Sequence, residues 1–295
     1  MSVSGGAAKL LAMKYLSALI LLLFSACSQP EPEENVLRFT AIPDTNSSEL
    51  EAKFKPVAAY LSKELGVKVE YVPTADYSAS VEMFKNGDVQ FAWFGGVSGV
   101  QARDAVEGSQ AIAQGVEDPK FKSYFVAHES TGINLSESFP KSLKGLSFTF
   151  GSSQSTSGRL MPEHFVTDRT GQKPSDFFGN ENSFSGSHDK TAKLVEAGTF
   201  QAGALNYMTY DRMVADGDLD PEVCKVVWVT PTYPDYNWTA HGSLDPTLVT
   251  KLQQVLLEMK DPALLKAIDR PNGLIKATNA DFAPVHELVV QLGFL

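Results

Sequence analysis

Hydrophobic positions recur along this chain with two periods, and each period predicts a different kind of element. Residues 36–42 form a mostly apolar run that predicts a first strand, and residues 67–72 and 89–94 predict two more. Residues 50–65 carry apolar side chains at three- and four-residue spacing, which is typical of an amphipathic helix. Strands that alternate with helices in this order indicate a parallel sheet covered by helices.

The same alternation continues through the second half of the chain. Strands are predicted over residues 123–128, 146–150, 202–207 and 226–229. Asp245 followed by a proline predicts the start of a helix, because aspartate can cap the first turn and proline suits the first helical position. The pattern therefore predicts an α/β protein.

The N-terminal segment differs from this body. Residues 15–24 form an apolar run that is too short to span a bilayer, which needs about 20 apolar residues. A basic residue before the run and small residues after it give the layout of a signal peptide. We therefore predict a signal peptide over residues 1–26, with translation starting at Met1 or Met13.

A lipid anchor is predicted at the end of that signal peptide. Residues 24–27 resemble a bacterial lipobox, in which the cysteine is acylated and becomes the first residue of the mature protein. Residues 27–35 are then a polar tether rich in Pro and Glu. This interpretation places the protein in the periplasm or at the cell surface, held to a bacterial membrane by Cys27. The alternative is an ordinary secreted protein in which Cys27 has no special role.

The composition excludes some functions. The chain has 295 residues, 43% of them hydrophobic, so it can bury a core and is not disordered as a whole. With 25 Lys and Arg against 35 Asp and Glu, its formal charge of −10 argues against nucleic acid as a partner. Cleavage before Cys27 removes 26 residues, two of them lysines and none acidic, which leaves 269 residues and a charge of −12.

Cys224 is the other cysteine of the chain. It lies in an apolar stretch that predicts a buried strand, so we expect a core thiol and not a nucleophile. With Cys27 acylated, no intramolecular disulfide can form.

Catalytic signatures are absent, but one segment has the chemistry to bind an anion. The chain shows no nucleophile elbow, P-loop, HExxH motif or dinucleotide fingerprint, and its His and Cys lack metal-ligand spacing, so we expect no cofactor. Ser155, Thr156 and Ser157 follow a predicted strand and precede a helix. Hydroxyls and the free N–H groups of a first helical turn can together hold a tetrahedral oxyanion. The alternative is a serine-rich loop that only caps the helix.

Further candidates also follow strands or turns. His188 is predicted in the first turn of a helix, where it could donate to an anion; the alternative is an exposed histidine without a role. Tyr77 follows Asp76, while Trp93 and Phe94 end a strand, and ligands of open α/β folds bind beyond the carboxyl ends of strands. The alternatives are a capping aspartate and core aromatics.

Taken together, these motifs resemble a known family. Over residues 37–238 the chain is similar to the periplasmic substrate-binding proteins of phosphonate, phosphite and phosphate ABC transporters. The matching stretches include residues 92–95, 155–158, 188–189 and 203–207. In detail the chain is most similar to a branch described as selenate-binding proteins.

The resemblance implies a type II periplasmic-binding-protein fold. In this fold two α/β lobes, each a mainly parallel sheet flanked by helices, close on a ligand between them. Residues 36–127 and 231–295 are expected in lobe 1 and residues 128–230 in lobe 2, with hinges near residues 127–129 and 230–231.

The resemblance also implies the ligand-binding set. Family contacts match Tyr77, Ser155, Thr156, Ser157 and His188. Positions within two other matching stretches complete the expected set: Trp93, Phe94, Asn206 and Tyr207. The family often has Tyr where this chain has Phe94, which removes one donor. No acid that could bind a ligand amine is evident near Asn206, so an aminophosphonate is disfavoured.

The resulting expectation is a monomeric binding lipoprotein that captures a tetrahedral oxyanion and delivers it to an ABC permease and its ATPase. The sequence leaves the class of this oxyanion open among selenate, phosphonate, phosphite and phosphate. A carboxylate acceptor would favour phosphate over sulfate or selenate, and Asp76 and Asp189 are candidates for it. Two other functions stay open: a sensing module for a membrane signalling protein, and a hydrolase that uses Ser157 with His188.

Overall fold

Two mixed sheets with flanking helices organise the part of the chain that the computed structural model describes, residues 36–295. The first sheet contains β1 (Val36–Ala41), β2 (Lys68–Tyr71), β3 (Phe91–Phe94), β4 (Gln110–Gly115), β10 (Asn237–Ala240) and β11 (Leu274–Lys276). The second contains β5 (Ser123–His128), β6 (Phe148–Phe150), β7 (Ser183–Phe184), β8 (Ala202–Asn206) and β9 (Cys224–Val229).

The helices pack against these sheets. They are α1 (Ser47–Leu65), α2 (Tyr77–Lys85), α3 (Gly96–Ala105), α4 (Met161–Thr170), α5 (Pro174–Phe178), α6 (His188–Glu196), α7 (Tyr207–Ala215), α8 (Pro246–Leu257), α9 (Pro262–Ala267) and α10 (Ala283–Leu292). We call the first sheet with its helices lobe 1, and the second sheet with its helices lobe 2.

The predicted α/β class is confirmed, but the sheets are mixed instead of mainly parallel. In the order β11-β4-β10-β3-β1-β2, β1 is parallel to β2 and β3, whereas β10 is antiparallel to β3 and β4. In the order β7-β6-β8-β5-β9, β6 is parallel to β7 and β8, whereas β5 is antiparallel to β8 and β9. The strands that bring the chain in from the other sheet, β5 and β10, therefore run against their neighbours.

The chain passes between the sheets twice. It leaves lobe 1 after β4 and enters lobe 2 at β5, so residues 123–127 pair within lobe 2 and the crossing lies before the sequence-based limit at 127/128. It returns between β9 and β10. Phe121 and Tyr233 exchange two backbone hydrogen bonds of 2.9 Å, which tie the two crossings together. The hinge positions themselves stay a prediction.

The helix over residues 50–65 is confirmed as α1, and its caps explain its limits. Asn46 accepts a hydrogen bond from the N–H of Glu49 at the start, and Gly66 adopts φ +74° at the end, a conformation that favours glycine. The apolar stripe of α1 is buried against a cluster around Trp238, whose side chain is fully buried. Cys224 is buried in β9, as predicted.

The predicted signal peptide, the tether and Cys27 lie outside the described residues. Within residues 36–295, no helix is both long and apolar enough to cross a membrane.

Candidate functional site

The candidate site lies where elements of the two lobes meet. The His188 N–H, at the start of α6 in lobe 2, donates to the carbonyl of Asp44, which follows β1 in lobe 1, at 3.1 Å. The Val97 N–H, in the first turn of α3 in lobe 1, donates to Thr156 Oγ1 of lobe 2 at 3.0 Å. Helix N-termini from both lobes thus face the same small region, which favours an anion there.

The Ser-Thr-Ser segment forms the start of a helix, as predicted. Ser155 is the N-cap and its Oγ accepts from the N–H of Gly158 at 2.9 Å. Thr156 begins a π-helical turn that continues into α4, and Pro162 is the second residue of α4. Ser155, Thr156 and Ser157 are each at most 2% exposed. Because Thr156 Oγ1 accepts from lobe 1, its hydroxyl hydrogen is left to donate, and the Asp235 carboxyl lies within its reach.

His188 is buried with one ring nitrogen free. Its Nδ1 accepts from the backbone N–H of Asn206 at 3.3 Å, which assigns the ring proton to Nε2. No described residue bonds to Nε2, which is buried. Burial lowers the pKa of His188 to about 4, against an opposing effect of Asp189. At neutral pH the ring is therefore an uncharged donor without a partner.

Tyr77 offers a second donor from lobe 1. It is the first residue of α2 and only 2% exposed. Ser155 lies beside its hydroxyl, but none of the described side chains makes a hydrogen bond of normal geometry to it. Burial, with the negative charges of Asp44 and Asp235 nearby, raises the pKa of Tyr77 well above its usual value. The phenol therefore keeps its proton and can donate.

Asp235 supplies an acceptor that the sequence reasoning missed. It precedes β10 on the return crossing, and its Oδ1 accepts from the N–H of Gly96 at 2.8 Å. Its Oδ2 is buried and has no partner among residues 36–295. Burial raises the pKa of Asp235 to about 7, although the hydroxyls of Thr156 and Ser157 favour the charged form. Tyr77, Thr156 and Ser157 thus lie near one carboxyl group that is close to half protonated at neutral pH.

Asn206 and Trp93 both contact Tyr236, which lies beside Asp44. The Asn206 amide donates to Tyr236 Oη at 2.9 Å, and Tyr236 donates to Asp44 Oδ2 at 2.9 Å. The Trp93 ring stacks on the ring of Tyr236 at 5.5 Å. Burial raises the pKa of Asp44, and the nearby Lys53 opposes this shift. Tyr236 thus links the Asn206 amide to the Asp44 carboxyl through two hydrogen bonds, so an acid does lie near Asn206; that no acid there binds a ligand amine stays a prediction.

Two residues of the expected set lie elsewhere. Phe94 is fully buried and packs edge-on against Phe84, with ring centroids 5.5 Å apart. Tyr207 is half-buried, with the Lys122 Nζ 4.8 Å from its ring and Phe121 against its edge. The structure thus places Phe94 in the core and Tyr207 on a flank of lobe 2.

The two acids proposed as acceptors instead cap or brace helix starts. Asp76 Oδ1 accepts from the N–H of Ala79 at 2.8 Å at the start of α2. Asp189 accepts from the hydroxyl of Ser187 at 2.5 Å beside the start of α6. Asp235, and neither Asp76 nor Asp189, has a buried carboxylate oxygen without a partner among the described residues.

The missed residues carried weak sequence signals. Asp44 follows a predicted strand, and this position is the only sequence signal that could have marked it as a site residue. Asp235 and Tyr236 lie in a crossing segment without hydrophobic periodicity, and only the return of the chain to lobe 1 brings them to the site.

The chemistry of the assembled site is that of anion binding. Tyr77, His188 and the hydroxyls of the Ser-Thr-Ser segment can donate, and Asp235 can accept. A Ser-His hydrolase needs an acid or amide that orients the histidine, but the Nδ1 of His188 is occupied by a backbone N–H. Within the described part of the chain, no group of three or more His, Cys, Asp or Glu could hold a metal ion.

Comparison with known proteins assigns this chain to a family. Residues 39–282 match the family model described as the periplasmic substrate-binding protein of phosphonate ABC transporters. The chain is 38% identical to the probable ABC transporter phosphite binding protein PhnD1 of Prochlorococcus marinus, over 94% of this chain and 96% of that one. It is 28% identical to the phosphate-import protein PhnD of Mycolicibacterium smegmatis, over 92% of this chain and 93% of that one.

The solved structures agree with this assignment. The structure of PhnD1 from Prochlorococcus marinus in complex with methylphosphonate matches with a TM-score of 0.83 at 37% identity. The match covers 89% of this chain and 100% of that chain.

Proposed function

The chain belongs to the family of periplasmic substrate-binding proteins of phosphonate ABC transporters, and from this premise we propose that it captures a singly protonated phosphorus oxyanion. Its relatives are binding proteins of transporters and not enzymes. The family also implies a periplasmic location. Delivery of the bound ligand to a permease and its ATPase, by a protein anchored through Cys27, completes the proposal.

The observation that carries the ligand class is the buried, partnerless Oδ2 of Asp235. Sulfate and selenate are fully deprotonated near neutral pH, so they can share a proton only with the fraction of the protein in which Asp235 is protonated, and the ionised fraction repels them. Phosphite, methylphosphonate and phosphate monoanions each carry a P–OH group that can donate to this oxygen. The proposal therefore favours phosphorus oxyanions over selenate, in line with the methylphosphonate bound to the Prochlorococcus PhnD1.

Binding and lobe closure are one event in this proposal. Tyr77 of lobe 1 and His188 of lobe 2 both present donors without partners. An oxyanion that accepts from both bridges the lobes, and it adds to the contacts that Val97 and Asp44 make across the same gap.

Titration calorimetry tests the ligand class. We expect methylphosphonate, phosphite and phosphate to bind more tightly than sulfate and selenate at about pH 7. In Asp235→Asn the amide N–H can donate to a fully deprotonated oxyanion, so the affinity ratio of methylphosphonate to sulfate should fall by about tenfold or more. Asp76→Asn is the matched control, because it changes an acid that only caps α2. Equal or tighter binding of selenate or sulfate by the wild type would refute the proposed class.

A transport assay tests delivery. In proteoliposomes that contain the cognate permease and ATPase, the ligand-bound protein should stimulate ATP hydrolysis, and the ligand-free protein should not. Ligand binding without any such stimulation would contradict delivery and favour a sensing role.

A further inference from the structure

A group of charged residues beside the ligand site also joins the two lobes. Arg212, on α7 of lobe 2, brings its Nη2 to 2.6 Å from Glu49 Oε1 on α1 of lobe 1. The Nε of Arg212 lies 3.7 Å from Oδ1 of Asp269, which follows α9 in lobe 1. These contacts require the two lobes to be close together, because their partners lie on different sheets and helices.

The two acids that Arg212 approaches, Glu49 and Asp269, are held in place by other residues of lobe 1. Glu49 Oε2 accepts from Thr45 Oγ1 at 2.6 Å and from the Asn46 amide at 3.2 Å. Lys53 Nζ lies 2.6 Å from Asp269 Oδ2 and 3.6 Å from Glu49 Oε1. The two acids are thus held by Lys53 and by the residues that start α1, whether or not Arg212 is present.

The charges of this group balance only when the lobes meet. Glu49, Asp269 and Lys53 carry a net charge of −1, and the guanidinium of Arg212 neutralises it. Although the side chains of Arg212, Glu49 and Asp269 each keep about a fifth of their surface exposed, Glu49 Oε1 and the Nε and Nη2 atoms of Arg212 are shielded from water. Screening by salt is weaker for such atoms than for fully exposed pairs.

We propose that Arg212 acts as a latch that sets the lifetime of the closed, ligand-bound state without selecting the ligand. The inference rests on the proposed function, since it presumes that the lobes close on a bound oxyanion. Arg212 makes none of the contacts described for Tyr77, His188 or Asp235. Its contribution should therefore be equal for every ligand that produces the same closure.

The expected effect is kinetic. Ligand reaches the open form, in which the latch is broken, so the association rate should not depend on Arg212. Dissociation requires the pair to separate, so Arg212→Gln should release methylphosphonate about five- to twentyfold faster, between the effects of exposed ion pairs and of close charge pairs at interfaces. The affinities for methylphosphonate and phosphite should fall by the same factor.

Stopped-flow fluorescence with methylphosphonate and phosphite tests the latch. The variants are Arg212→Gln, Glu49→Gln and the double variant. Arg169→Gln is the matched control, because it removes an arginine of lobe 2 whose partner is the neighbouring Asp168. If the latch is correct, Glu49→Gln accelerates dissociation in the wild type but has little further effect when Arg212 is already Gln.

The outcomes separate the two proposals. If the wild type binds neither ligand, the proposed function is wrong. If the wild type binds both but Arg212→Gln dissociates at the same rate as Arg169→Gln, the latch is wrong and the proposed function stands. A change in the ligand ranking of Arg212→Gln would also overturn the latch, because it would place Arg212 in the recognition of the ligand.

Discussion

Single residues of the site stand out because they have buried polar atoms without a hydrogen-bond partner. The Nδ1 of His188 accepts a backbone N–H and its Nε2 is buried without a partner, so the ring is held neutral with its proton directed away from Asn206. We expect His188→Ala to weaken methylphosphonate binding by about 1.5–3 kcal/mol, the value of one hydrogen bond to a charged group. Calorimetry checks the affinity, and circular dichroism checks that the variant is folded. An unchanged affinity would place the ligand away from His188.

The same histidine predicts a pH effect on folding. Its pKa of about 4 in the folded protein lies below the usual 6.5, so the unfolded chain binds a proton first. Its contribution to stability is complete above pH 6.5 and is lost as the pH falls toward 4, by about 2 kcal/mol at pH 5. Asp235 acts in the opposite sense, because its raised pKa makes the folded state take up a proton below about pH 7.

The effect of His188 must therefore be isolated by difference. Urea unfolding of ligand-free wild type and His188→Gln at about pH 7 and pH 5 gives the two changes in unfolding free energy. The wild type should lose about 2 kcal/mol more than the variant over this interval. Equal losses would show that His188 is not buried as a neutral ring.

At the scale of elements, the site depends on the close approach of a helix start to the other lobe. A Cβ on Gly95, the N-cap of α3, would lie 3.3 Å from Thr156 Oγ1 of lobe 2 and 3.2 Å from Asp235 Oδ1. Its φ of −77° suits any residue, so alanine fits the backbone but crowds the closed contact. Gly95→Ala should weaken ligand binding by about tenfold, with an unfolding midpoint close to that of the wild type. A large loss of stability would instead indicate a role in the core of lobe 1.

Elements also show how far the sequence could predict the site. Ser155, His188 and Tyr77 each stand at a helix start, a position that periodicity and capping reveal. Trp93 and Phe94 are neighbours on β3 and face opposite sides, and a fully apolar strand gives no signal for which side meets the ligand. The role of Asp235 comes from the crossing between the lobes, and long-range placement of this kind is not encoded in any local pattern.

For the molecule as a whole, closure is the property that unites the site and the latch. A ligand that bridges Tyr77 and His188 should shift the population toward the closed form. Small-angle scattering should then show a smaller radius of gyration with saturating methylphosphonate than without ligand. Sulfate at the same concentration is the control, since it lacks the proton that Asp235 accepts. An unchanged radius would mean that the free protein is already closed.

The net charge of the whole molecule bears on how the ligand arrives, not on how it is held. The chain carries a formal charge of −10, which repels anions at a distance. In the proposed site, by contrast, N–H groups, hydroxyls and a neutral imidazole attract an anion at close range. An anion approaching an acidic protein is repelled over roughly 10 Å at 0.1 M salt, and added salt screens this repulsion. We therefore expect the association rate of methylphosphonate to rise as potassium chloride increases from about 10 to 300 mM, whereas electrostatic steering by a basic cleft would make it fall. Stopped-flow measurements on wild type and on Arg212→Gln separate this encounter effect from the latch, because the association rates of the two proteins should rise in parallel while their dissociation rates stay apart.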